Sequence, residues 1–340
     1  MSKRLPSPTQ LPSGNWRVRV MVDGKTYSVT EPTRELAMAK AMALRADAIQ
    51  PERVDARKTL GEILDEYIEN RENVLSPSTI RSYASYRKHR FLPYHNYKLP
   101  RLDRRTLQRM VNEEARLVAP KTLKNAWGLV QAALAEYEIS TRGINLPPVP
   151  KSERPYLTHS EILQFCDAVR GKRCVIPALL ALCSLRMSEI LALDWKDINL
   201  KRSTISVRRS MVKGPYGYVE KQTNKTSAST RVVPIIVPQL RKALLEQPNK
   251  TGRVVTMSQA VIFSDINKVC REAGLPEIGC HGLRHSWCSL AHFLRIPALD
   301  AARMGGWADL GTMQKIYTHL SADDLADSAK ILVDFFEKNG

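Results

Sequence analysis

Apolar and polar residues alternate from Asn15 onward. Trp16, Val18 and Val20 fall on one side and Arg17 and Arg19 on the other, and after Asp23-Gly24 the alternation resumes with Tyr27 and Val29. A period of two marks a half-buried strand and Asp-Gly is a tight-turn dipeptide, so the stretch predicts a β-hairpin. One face is apolar; the other carries Arg17, Arg19 and Lys25. From Thr33 to about Ile49 the period lengthens and Ala, Met and Leu dominate, which predicts a helix behind that small sheet.

Residues 50–58 are polar, contain Pro51 and read as a linker. Helical spacing returns from Thr59 to about Asn70. Ser76-Pro77 then supplies an N-cap and a proline at the first helical position, and starts a helix carrying Arg81, Arg87, Lys88, His89 and Arg90. Two further helices are expected near 103–117 and 120–137. The proline-rich segment 145–150 is the clearest boundary in the chain. Beyond it, Thr158 with Glu161 makes a capping box. Residues 175–193 form a strongly apolar helical region that Arg186, Ser188 and Glu189 interrupt. Strand signals follow in STISVRRS and TRVVPIIV around a Gly-Pro-Tyr-Gly-Tyr turn, and helices resume at 238–246 and from Val261. The fold class expected is multidomain α+β. It comprises a small N-terminal sheet plus helix, an all-α block, and a mixed, mainly α block with a small sheet. Their limits are 1–50, 57–145 and 153–340.

Charge narrows the partners. The 340 residues carry 52 Lys and Arg against 34 Asp and Glu, a formal charge of +18. An excess of this size favours polyanions, nucleic acid first, over a merely soluble basic protein. The tail after Tyr317 is net −3, leaving +21 on the rest, so the tail is expected to dock on protein rather than DNA. Aromatics are 6%, too sparse for a single-strand stacking platform. Six cysteines without a C-x-x-C pair read as reduced, buried thiols in a cytoplasm. No apolar run approaches the roughly 18 residues of a membrane span.

Candidate chemistry sits where charge breaks an apolar pattern. Arg186, within LLALCSLRMSEILALDW, is costly to bury unless it meets an anion. It is either satisfied internally by Glu189 or held by Glu189 toward a phosphate. In CHGLRHSWC, His281 and Arg284 share a helix face, and Arg suits bidentate phosphate contacts. His281 with His285 has a metal-like spacing, but it lacks an intervening Glu and a third ligand, so no metal is expected. Tyr317 is either packing or a nucleophile, and Lys225 either a solvated loop residue or a mobile acid.

Together these segments resemble the tyrosine recombinase (phage integrase) family. "LRMSEILALDW" is similar to its first-arginine motif and carries over Arg186, with Glu189 supporting. "TNKTSASTRVVPI" resembles its β-hairpin motif and carries over Lys225. "HGLRHSWCSL" matches H-x-x-R, giving His281 and Arg284. "GGWADLGTMQKIYTHL" resembles the closing motif, giving Tyr317 as nucleophile; Trp307 stands where the family commonly has the His of Leu-Gly-His. The resemblance implies an arm-type DNA-binding domain at 1–50, a helical core-binding domain at 57–145 and a catalytic domain with a tail helix at 153–340. It implies site-specific recombination through a 3′-phosphotyrosine and a Holliday junction, without metal, ATP or other cofactor. The implied partners are double-stranded DNA at core- and arm-type sites, three further copies of the chain reached through the tail, a host DNA-bending protein and an excisionase. The implied location is the nucleoid of a bacterial host cell. Arg17, Arg19, Lys25, Arg81, Arg87, Lys88 and Arg90 are the expected DNA contacts. The alternatives are a Xer-like dimer resolvase and a non-catalytic DNA-binding protein on the same fold.

Overall fold

The computed structural model describes residues 7–22, 25–47, 57–150, 155–222, 231–307 and 311. Lys225, Tyr317, the Asp23-Gly24 turn and the acidic tail lie outside them. The chain divides into two compact units, the described residues of Met1–Tyr67 with His89–Pro147 and those of Ile68–Lys88 with Pro148–Gly340.

In the first unit, β1 (Thr9–Gln10), β2 (Trp16–Val22) and β3 (Lys25–Glu31) form an antiparallel sheet in that order, with Val18 opposite Val29. The alternation read from the sequence is what buries Val18, Val20 and Val29 against Ala37 and Ala41 of α1 (Arg34–Asp47). Arg17 is half-buried and Arg19 exposed on the other face. Helix α2 (Leu60–Glu69) packs its Leu60, Ile63 and Leu64 stripe into the unit's core. Helix α3 (Pro77–His89) begins at the expected proline, but its residues up to Lys88 group with the second unit. Helices α4 (Arg104–Ala115) and α5 (Pro120–Glu136) bury Leu107, Met110, Leu123, Trp127 and Leu134. Each fully buried side chain of this kind contributes roughly 1.5–3 kcal/mol.

The second unit holds α6 (His159–Ala168), α7 (Val175–Leu182) and α8 (Met187–Ala192), then β4 (Ile198–Asn199), β5 (Thr204–Val207), β6 (Arg209–Gly214), β7 (Gly217–Gln222) and β8 (Arg231–Pro234). It closes with α9 (Pro238–Leu245), α10 (Gln259–Glu272), α11 (Cys280–Phe293) and α12 (Ala298–Gly305). Strands β4, β5 and β8 make one antiparallel sheet, and β6 and β7 a separate hairpin. The core runs from Leu157 and Phe165 through Leu179, Leu185 and Ile190 to Ile205, Val233 and Leu283. The capping box at Thr158 forms as expected, the Thr158 amide donating to Glu161 Oε2 at 2.7 Å.

The apolar region 175–193 is two helices, not one. Helix α7 stops because Ser184 adopts φ 66°. Leu185 N donates to Leu180 O at 3.2 Å and Ser184 N to Ala181 O at 2.9 Å, the paired closure of a left-handed C-terminus. Helix α12 ends in the same way at Gly306, φ 64°, with Trp307 N donating to Ala302 O at 2.9 Å. These two helix ends frame the site described next.

Candidate active site

Arg186 sits at the N-cap of α8, delivered there by the turn at Ser184. Its own amide donates to Glu189 Oε2 at 2.8 Å and its Nη1 to Glu189 Oε1 at 2.9 Å. Its Nη2 donates to Gly306 O at 2.8 Å, yet the side chain remains 44% exposed. The two readings of Arg186 left open by the sequence are therefore compatible: it is satisfied by Glu189 and still faces outward.

Arg284 projects from the buried face of α11 and is 1% exposed. It donates through Nη1 to Ser184 O and through Nη2 to Gly306 O at 3.4 Å, and its guanidinium lies 4.3 Å from the centre of the Trp307 ring. Among the described residues it has no ion-pair partner. Burial, then the neighbouring Arg186, pushes its pKa down to about 9, which still leaves it charged at neutral pH. The acceptors that hold it are carbonyls at the C-terminal ends of α7 and α12, where the helix dipole places partial negative charge. Half-charges and a π-face steady a guanidinium without cancelling it.

Two arginines thus converge on one oxygen, that of Gly306. Gly305 and Gly306 are required there: a Cβ on Gly305 would lie within 2.7 Å of Trp307 and Trp287, and one on Gly306 would overlap Arg231. Trp307 Nε1 is buried with no hydrogen-bond partner among the described residues, a donor set beside both arginines.

Glu189 is 6% exposed. Burial alone would raise its pKa. The bonds and charge of Arg231, followed by the amide and charge of Arg186, outweigh burial and hold it at about 2. Arg231 grips it bidentately, Nη1 to Oε1 at 2.9 Å and Nη2 to Oε2 at 2.8 Å. Arg231 lies within the TNKTSASTRVVPI segment and is not among the site residues expected from the sequence. In the structure Arg231 lies two residues before the buried Val233, on the strand face that enters the core, whereas the adjacent Val232 leaves the inward face ambiguous in the sequence.

His281 occupies the first turn of α11, its ring edge-to-face with His285 at 4.5 Å. It lines an open cavity of about 770 Å³ together with Met187, Lys213 and Arg81 of α3. Cys280 is buried and its thiol pushed up to about 12, chiefly by burial. Among the described residues no group of three or more His, Cys, Asp or Glu is arranged to hold a metal ion.

The expected DNA contacts divide. Arg19, Arg81 and Lys88 are exposed, and Arg17 and Arg87 half-buried. Lys25 stands at the start of β3. Arg90 is turned inward: Nη1 donates to Glu114 Oε1 at 3.1 Å, and Glu114 Oε2 accepts from Phe91 N at 2.9 Å. Its charge is committed to a carboxylate that is 5% exposed.

A family model described as the phage integrase family matches residues 155–323, and one described as the phage integrase N-terminal SAM-like domain matches residues 59–115. The chain is 25% identical over 251 residues to a tyrosine recombinase XerC-like protein of Caldanaerobacter subterraneus subsp. tengcongensis, across 64% of each chain. The stretch of that relative it spans is thus just under two thirds of its length. It is also 25% identical over 276 residues to the integrase of Staphylococcus phage L54a, across 66% of this chain and 78% of that one. In three dimensions it is similar to the Tn1549 transposon integrase in complex with transposon right-end DNA. The TM-score is 0.63 at 15% identity, over 81% of this chain and 99% of the other. A lambda integrase tetramer bound to a Holliday junction gives 0.55 at 18% identity, over 91% and 97%. These likenesses establish the mixed α+β fold read from the sequence.

Proposed function

The chain belongs to the phage integrase family of tyrosine recombinases, and from that premise we propose that it is a site-specific integrase that cuts and rejoins DNA through a phosphotyrosine. The observation that carries this reading is the convergence of Arg186 and Arg284 on Gly306 O, with the Trp307 indole N–H, which has no partner among the described residues, beside them. Two cations, one of them buried without a carboxylate partner among the described residues, make a place for a single phosphodiester.

In this reading Tyr317 attacks phosphorus. A 3′-phosphotyrosine bond forms and the bond to the 5′-oxygen breaks. Lys225 gives that leaving oxygen its proton, and His281 accepts the proton of the tyrosine. Arg186 and Arg284 stabilise charge on the transition state, and Trp307 donates to a phosphate oxygen. The phosphodiester energy stays in the covalent link, so the reverse attack by a 5′-hydroxyl reseals DNA without ATP.

Residues 1–50 form the arm-type module, with Arg17, Arg19 and Lys25 toward DNA, and 57–145 the core-binding module, with Arg81, Arg87 and Lys88. Residues 153–340 are the catalytic module, whose acidic tail joins four copies on a Holliday junction. A host bending protein and an excisionase set direction, and the complex works at the nucleoid of a bacterial cell. Among the described residues no helix is long and apolar enough to cross a membrane.

The test is covalent trapping in EDTA on nicked duplexes tiled across the DNA flanking the gene, wild type beside Tyr317→Phe. A protein–DNA adduct with wild type alone is expected. Cleavage without an adduct, restored by zinc or magnesium, overturns the reading in favour of a metal-dependent nuclease.

A further inference from the structure

Three positive groups surround Glu189, and they are not equivalent. Arg231 is the most deeply placed on the carboxylate, its side chain 8% exposed, and its fork covers both oxygens. Arg186 reaches one of those oxygens with a single Nη, the other being met by its backbone amide, and its side chain is five times more exposed. Arg284 makes no bond to Glu189 and acts on it only through charge. Neutralisation of the carboxylate therefore falls to Arg231. Counting charges makes the consequence plain. With Arg231 in place, Glu189 offsets one of three positive charges, and among the described residues two remain in excess around Arg186 and Arg284. Without it, the same carboxylate would cancel Arg186.

A second contact adds a geometric duty. The Arg231 guanidinium packs so closely on Gly306 that a methyl group there would overlap it. Gly306 carries the oxygen that Arg186 and Arg284 share. One side chain thus backs both the carboxylate and the carbonyl that orient the arginine pair. Its Nε is buried with no partner among the described residues, an uncompensated donor retained in the core.

We propose that Arg231 is a positioning residue of the recombination site: it neutralises Glu189 so that the charge of Arg186 is kept for the phosphate, and it braces the Gly306 carbonyl that both phosphate-facing arginines share. This rests on the phosphotyrosine reading above. Arg231 touches no reacting atom.

The experiment compares wild type, Arg231→Gln, Arg231→Lys and the double variant Arg231→Gln/Glu189→Gln. Single-turnover adduct formation and duplex affinity are measured on whichever tiled nicked duplex traps wild type. Arg231→Gln is expected to slow adduct formation about 10- to 100-fold, less than the 10²–10³ of losing a direct transition-state donor. Duplex affinity should hold within about threefold, because base and phosphate contacts elsewhere carry it. Arg231→Lys should recover part of the rate. The double variant should be faster than Arg231→Gln alone, because removing the stranded carboxylate returns Arg186 to the phosphate; a pair with only a structural role predicts no such recovery. Titration of Glu189 by carboxyl carbon NMR needs no DNA and adds an independent reading. Its pKa should climb in Arg231→Gln.

An Arg231→Gln protein that is folded and reacts at the wild-type rate, a double variant no faster than Arg231→Gln alone, or an unmoved Glu189 titration overturns the proposal and leaves the recombinase reading intact. A wild-type protein that forms no adduct on any tile, while Glu189 still responds to Arg231→Gln, overturns the reading itself, and the proposal falls with it.

Discussion

At Glu189, burial and two guanidinium groups pull in opposite directions, and the guanidinium groups win. In the unfolded chain the carboxyl protonates near the ordinary 4.5; in the fold it waits until about 2. The unfolded chain therefore takes up a proton first as the solution is acidified. Stability from this group is complete above about pH 4.5 and is lost as the pH falls toward 2. A shift of that size is worth on the order of 3 kcal/mol. Urea midpoints taken between about pH 5 and pH 3 should fall more steeply for wild type than for Glu189→Gln. Equal slopes would mean that Glu189 does not hold its charge in the fold. Arg186, Glu189, His281 and Arg284 were legible as residues because each interrupts an apolar or helical pattern and the family motifs give their order. Arg231 was not, since the residues flanking it do not reveal which valine of the strand turns inward. Lys225 and Tyr317 rest on the motifs alone.

At the scale of elements, the sequence told helix from strand well and chain breaks less well. The period-two stretch became β2 and β3, Ser76-Pro77 and Thr158 began helices where they were expected to, and the 238–246 segment became α9. The break between α7 and α8 was read only as an interruption, because serine is an unusual residue for a left-handed C-terminus. That position has a measurable cost. The left-handed region costs a residue with a Cβ about 1–2 kcal/mol. Against it stands a long bond from Ser184 Oγ to Gly305 O at 3.3 Å, at the low end of the 0.5–1.5 kcal/mol usual for such contacts. Ser184→Gly should thus raise stability slightly, by less than about 1 kcal/mol. A thermal scan checks it, and a clear drop in melting temperature would mean that the hydroxyl ties the two helix ends together more strongly than its length suggests.

For the whole molecule, the +18 charge was the first hint of a polyanionic partner, but charge alone does not say which cations face it. Arg90 shows why. It stands in a basic run on the sequence, yet packing turns it onto the buried Glu114. Lys88, two residues earlier, is exposed. Lys88→Ala should therefore lower the salt slope of core-site binding by about 1, as one phosphate contact fewer requires. Arg90→Ala should leave the slope unchanged and reduce folding stability instead, since it strands a buried carboxylate. Binding isotherms between about 50 and 200 mM salt, with a melt of each variant, separate the two. A lower slope for Arg90→Ala would place its guanidinium on DNA after all.

The oxygen of Gly306 belongs to no side chain. A mutational scan of residues 300–310 would find position 306 intolerant and credit the left-handed turn or the packing of Arg231, since every substitution changes those and none removes the acceptor. The anchor shared by the two arginines is thus invisible to the genetic code. It can be weakened without changing a side chain only by chemistry on the main chain, as when an ester replaces the Gly306–Trp307 amide, which also removes the Trp307 N–H that bonds to Ala302 O. Sequence change can move that atom only by moving a helix end, and so the geometry of the proposed phosphate site is inherited through the lengths of α7 and α12 as much as through the identities of Arg186 and Arg284.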